Sequence, residues 1–108
     1  MSAVATRRVI VGESPPVPVG IAMLAHRFRY LCRQLGYHAW VELSRTAEST
    51  SRYVRVETGA ARWPLKIRIS DHELARPTGC DFELVSRDGR SGAEHLSAFI
   101  YAVARGVA

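Results

Sequence analysis

The stretches Ser51-Arg-Tyr-Val-Arg-Val-Glu-Thr58 and Trp63-Pro-Leu-Lys-Ile-Arg-Ile-Ser70 decide the fold. The first sets Val54 and Val56 against Tyr53, Arg55 and Glu57; the second sets Leu65, Ile67 and Ile69 against Lys66 and Arg68. Successive side chains of a strand point to opposite faces. Both stretches therefore read as half-buried strands that turn an aliphatic face inward and a basic face outward. The intervening Gly59-Ala-Ala-Arg62 has a length suited to a hairpin.

Working outward, Tyr37 to Ser44 alternates in the same way, with Tyr37, Ala39, Val41 and Leu43 on one side and His38, Trp40 and Glu42 on the other. From Pro18 to Leu35 the apolar residues Ile21, Leu24, Phe28, Leu31 and Leu35 recur at steps of three and four, the spacing of one helix face, and Gly36 stands where a left-handed C-cap belongs. His26, Arg29 and Arg33 on the other side make an ordinary solvated face. After Ser70 the pattern lapses through a segment whose Pro77 and Gly79 mark a turn. Asp81 to Ser86 reads as a fourth strand with Phe82 and Leu84 inward, and Asp88-Gly89 as another turn. Ser91 and Glu94 form a capping box that opens a closing helix bearing Leu96, Phe99, Ile100 and Val103.

Residues 1–16 read as an N-terminal arm. Gly12-Glu-Ser-Pro-Pro16 breaks helices, and Val9-Ile-Val11 either adds a short edge strand or trails off. Residues 17–108 read as one domain. The expected fold is a two-layer α+β arrangement: helix, four-stranded antiparallel sheet, helix, with both helices on one face of the sheet and the other face bare.

A chain of 108 residues supports one modest core, and its 47% hydrophobic and 23% charged residues argue against global disorder. The net charge of +5 is unevenly placed: residues 1–70 carry eleven basic and four acidic side chains, whereas 71–108 carry four and six. Fourteen of the fifteen basic residues are Arg, which pairs with carboxylates and phosphates in bidentate fashion and stacks on rings. Cys32 and Cys80 provide neither a disulfide framework nor zinc-ligand spacing, and no cofactor-binding motif is present, so reduced structural thiols are expected. Arg7 and Arg8 precede too few apolar residues for a signal peptide, and no segment reaches membrane-spanning length; the expected location is the cytoplasm.

The bare face is the candidate site. Alternation assigns to it Trp40, Tyr53, Arg55, Lys66 and Arg68 as partner-binding residues. Aromatic rings beside Arg or Lys can stack on bases and neutralise phosphates, and the same residue types dominate protein interfaces. A third reading is a self-contained ladder in which Glu42 and Glu57 pair with Arg55 and Arg68. Glu42, Glu57, Asp81 and Glu83 on or beside the surface would repel phosphate, which favours a protein partner. His72 between Asp71 and Glu73 suggests a general base or metal ligand, but adjacent residues point in different directions. A turn-capping Asp71 and a packed His72 are the better reading, with no catalytic residue and no metal site expected.

The helix-strands-helix order looks like a double-stranded-RNA-binding domain with one strand added, although the basic cluster which that family places at the start of its last helix is replaced here by Ser91 and Glu94. At the level of residues, Ser51-Arg-Tyr-Val-Arg-Val followed by Lys66-Ile-Arg-Ile-Ser-Asp-His72 is similar to a pattern in short proteins of phages and mobile elements. That resemblance implies a small non-enzymatic inhibitor, in the manner of anti-CRISPR proteins. Such a chain would dock on a host protein that handles nucleic acid. Direct binding of RNA or single-stranded DNA is the alternative expectation.

Overall fold

The alternating stretches pair as their patterns require. In the computed structural model, which describes residues 6–11, 20–46, 49–59, 63–72, 78–87 and 93–106, the elements run β1 (Arg7–Val11), α1 (Gly20–Gln34), β2 (His38–Leu43), β3 (Arg52–Glu57), β4 (Leu65–Ser70), β5 (Phe82–Ser86) and α2 (Ala93–Gly106). β2, β3 and β4 are antiparallel neighbours, with Val54 opposite both Val41 and Ile67. The architecture is α+β, built on one mixed five-stranded sheet ordered β1-β5-β4-β3-β2.

Two expectations about the sheet need correction. The fourth expected strand, now β5, runs parallel to β4 instead of continuing an antiparallel meander. Eleven residues separate Ser70 from Phe82, close to the dozen that a parallel return requires, and this length was the available signal. The sheet also has five strands instead of four, because within the arm the edge-strand alternative holds: Arg7–Val11 form β1, parallel to β5 and in register from Arg7 opposite Phe82 to Val11 opposite Ser86. Thr6 Oγ1 donates to the Cys80 carbonyl at 2.6 Å and Arg7 N to that of Asp81 at 3.3 Å, so the strand is anchored at its entry. Residues 12–16 of the expected arm lie outside the described residues, as do Pro77, the Asp88-Gly89 turn, Ser91 of the capping box and residues 60–62 of the hairpin.

Both helices supply one side of the core. α1 buries Ile21, Leu24, Ala25, Phe28 and Cys32, and α2 buries Leu96, Phe99, Ile100 and Val103 against the same aliphatic face of the sheet. Phe99 joins the layers: its ring lies 5.3 Å from that of Phe28 and 6.2 Å, edge-on, from that of Phe82. Leu35 was expected in the α1 stripe but is exposed, because it belongs to the turn that ends the helix. There Gly36 N donates to the Arg33 carbonyl and Tyr37 N to that of Cys32, the paired bonds of a Schellman motif, with Gly36 at φ 91°. This cap turns the chain from α1 directly into β2.

Both cysteines are buried and free. Burial pushes the Cys32 thiol up to about 12, and burial likewise raises that of Cys80. A thiol that is harder to ionise when folded contributes stability that is fully present below its ordinary value of 9.0 and lost as pH rises towards about 12. The stability advantage of the native chain over Cys32→Ala, measured by urea unfolding, is therefore expected to be constant below pH 9.0 and to shrink above it. Native protein should also resist iodoacetamide until it is unfolded.

Candidate interaction face

The strand register arranges the outer face of the sheet in cross-strand rows. One row is Trp40, Arg55 and Lys66; the next is Glu42, Tyr53, Arg68, Glu83 and Arg8, which crosses all five strands. Side chains directly opposite one another are close enough to interact, so each row acts as a chain of paired groups. The rows divide into an open corner over β2, β3 and the near side of β4, and a closed half over β4 and β5.

Four of the expected site residues share the open corner. Trp40, Tyr53, Arg55 and Lys66 are all partly exposed. The Trp40 indole donates to Glu42 Oε2 at 3.0 Å and meets the His38 ring edge-on, with centroids 5.2 Å apart. Arg55 Nη2 donates to the Pro64 carbonyl at 3.2 Å, and its Nη1 stands 3.9 Å from Glu42 Oε1, an ion pair too long to be a hydrogen bond. Lys66 Nζ sits 4.9 Å from the centre of the Tyr53 ring, a cation–π contact.

Arg68 corrects the sequence reading. It lies on the outer side of β4 as alternation requires, yet it is only 4% exposed, and Glu83 beside it is fully buried. Arg68 Nη1 donates to Glu83 Oε1 at 2.8 Å, and Arg8 Nε reaches Glu83 Oε2 at 3.2 Å. Alternation tells which face a side chain takes but not what lies over that face. Here the parallel return from β4 to β5 brings His72 onto the guanidinium, with Nε2 2.9 Å from Arg68 Nη2. The expected pairing of Glu57 with Arg68 is replaced by one with Glu83, and Asp81 is engaged by the backbone amide of Lys66 at 2.8 Å.

The residues of the two-part sequence pattern thus converge on one cation. Arg68 Nη2 also donates to Ser51 Oγ at 3.2 Å, His72 Nδ1 lies 2.9 Å from Asp71 Oδ1, and Thr50 Oγ1 donates to the same Asp71 oxygen at 3.4 Å. Arg carries only donors, so the ring atom facing it must accept, which assigns the proton of a neutral His72 to Nδ1 and its hydrogen bond to Asp71. Ser70 Oγ donates to the backbone carbonyl of His72, at 3.2 Å. Both imidazole nitrogens are thus engaged, Nε2 by a guanidinium and Nδ1 by a carboxylate. Among the described residues no three His, Cys, Asp or Glu side chains gather to hold a metal ion. No helix among them is long and apolar enough to cross a membrane.

Among the described residues two depressions stand out. One, of about 200 Å³, lies where β2 leaves the sheet and is lined by Arg45, Arg55, Lys66, Tyr53 and Glu42 together with the backbone turn Leu43–Thr46. The other, of about 460 Å³, lies between α1 and α2 and is lined mainly by Leu31, Leu35, Tyr37, Ile100, Tyr101 and Ala104. Its one charged group, Arg105, rests over the Tyr101 ring at 5.4 Å. The second depression also carries Gln34 and Ser97; the first is the one that adjoins the outer face of the sheet, through Tyr53, Arg55 and Lys66. Sequence reading missed Arg45 because it stands in the loop after the strand, where no alternation points.

Compared with family models, with curated proteins and with solved structures, the chain matches none.

Removing one member of a buried charge pair leaves the other uncompensated. Arg68→Met is expected to cost about 3–5 kcal/mol of unfolding free energy in urea titration. The double variant Arg68→Met/Glu83→Leu should recover much of that loss. For His72, nitrogen NMR at pH 8 should show a protonated Nδ1 and a bare Nε2. The opposite tautomer would mean that Arg68 does not donate to the ring.

Proposed function

We propose that this chain is a small non-enzymatic binding protein that docks on another protein through the open corner formed by Trp40, Tyr53, Arg55 and Lys66. One observation carries the reading: two aromatic rings, a guanidinium and an ammonium stand partly exposed on one sheet face, on the side opposite the helices. These residue types supply most of the energy at protein interfaces, and a rigid sheet presents them with little ordering cost.

A protein partner is favoured over nucleic acid by what the rings already touch. Lys66 occupies a face of the Tyr53 ring, which leaves less of it as a platform for a base. Glu42 and Glu57 stand exposed on the same face and repel phosphate. The resemblance of the Ser51–His72 pattern to phage and mobile-element proteins supports a partner of host origin, blocked by occupation of its surface in the anti-CRISPR manner. Within this proposal the working location is the cytoplasm and the blocked protein is one that handles nucleic acid.

Capture of a stoichiometric complex from host lysate by the native chain, followed by affinity measurement on the purified pair, tests the reading. Trp40→Ala and Tyr53→Ala should each weaken that complex by about 30-fold or more while leaving the melting temperature within a few degrees. A shift of labelled RNA or single-stranded DNA that weakens steeply with salt and disappears in Arg55→Ala would instead establish direct nucleic-acid binding.

A further inference from the structure

The depression beside β2 carries more charge than the docking proposal uses. Arg45, Arg55 and Lys66 line it against a single carboxylate, Glu42. Among the described residues no carboxylate lies within ion-pair distance of Arg45 or of Lys66 Nζ, and Arg55 is matched only at 3.9 Å. Arg55 Nε is sequestered from water without a hydrogen-bond partner.

We infer that this cavity is the seat for a carboxylate side chain of the docked protein, so that the partner offers an acidic segment to Arg45, Arg55 and Lys66. The inference rests on the docking reading and names the chemistry of the partner. A volume of about 200 Å³ admits one small acidic group and little else. A carboxylate offers two oxygens with about four acceptor positions, enough to engage three cations at once. Three cations against the one carboxylate of Glu42 leave the lining net positive, which favours an anion. The same Glu42, held by Trp40 and facing Arg55, keeps the guanidinium turned along the sheet instead of out to solvent.

The test is a nitrogen–proton NMR titration of the full chain at low salt with an octaglutamate peptide, run in parallel with inorganic phosphate and with an eight-residue oligo-dT. Saturable shifts from the peptide at Leu43–Thr46, Tyr53, Arg55 and Lys66, weakened by roughly tenfold or more in Arg45→Glu/Lys66→Glu, support the inference. Arg45→Glu alone, in an exposed loop, serves if the double variant does not fold. Peptide shifts confined to the outer side of α1, tighter binding of phosphate or oligo-dT at the cavity, or no saturable shift at all would each overturn it. The docked complex separates the two proposals. A complex lost in Trp40→Ala but kept in Arg45→Glu leaves the docking face standing and removes the carboxylate seat. A complex indifferent to both removes the face as well.

Discussion

Everything on the outer side of the sheet is organised by one buried carboxylate. Glu83 has no exposed surface, yet it stands in the middle of an apolar strand between Phe82 and Leu84. Such a charge persists only with partners, and it takes two: Arg68 from β4 and Arg8 from β1. The interaction therefore spans three neighbouring strands, both of whose pairings are parallel. It adds to the docking of β1, whose Val11 is buried in the core with Val9 packed against it. Ser51 and His72 engage Nη2 of Arg68, and Asp71 and Thr50 extend the network. The added contacts come from two segments, Thr50 and Ser51 ahead of β3 and Asp71 and His72 after β4.

This closure is also what defines the open corner. A sheet with helices on one face would ordinarily leave the other face uniformly available. Here the half over β4 and β5 is closed, and the boundary runs along β4 between Lys66, which is partly exposed, and Arg68, which is not. The two rows respond differently: the Trp40–Arg55–Lys66 row stays on the surface, whereas the Glu42–Tyr53–Arg68 row starts on the surface and ends in the interior. Tyr53 is the hinge of that change, bordered by Lys66 above its ring and by Arg68 directly across the ladder.

Local pattern carried the helices, the three-stranded meander and the outward side of Trp40, Tyr53, Arg55, Lys66 and Arg68, because period and side-chain direction are properties of a few adjacent residues; Leu43, grouped with the inward residues, is exposed at the end of β2. Gly36 was legible for the same reason. The direction of β5 was not, since a parallel return and a hairpin differ in what happens across eleven residues with no periodicity. The place of β1 depended on Arg8 meeting Glu83, 75 positions apart, which no window of sequence exposes. Four of the five proposed contact residues kept the exposure that alternation implied. Arg68 lost it, and the hint was present: an acidic residue inside the apolar run Phe82-Glu-Leu-Val85 calls for a cation from a neighbouring strand.

The fate of Arg68 changes the meaning of the two-part pattern around Ser51 and His72. Part of the pattern faces outward, since Tyr53, Arg55 and Lys66 are partly exposed. Ser51, Arg68 and Ser70 are buried, and Asp71 and His72, though exposed, are bonded into the network. The pattern thus joins contact residues to their support: its buried half fixes the end of β4, on which the placement of Lys66 and Tyr53 rests. Trp40, Arg55 and Arg45, none of them part of the network, are where specificity for a partner would reside.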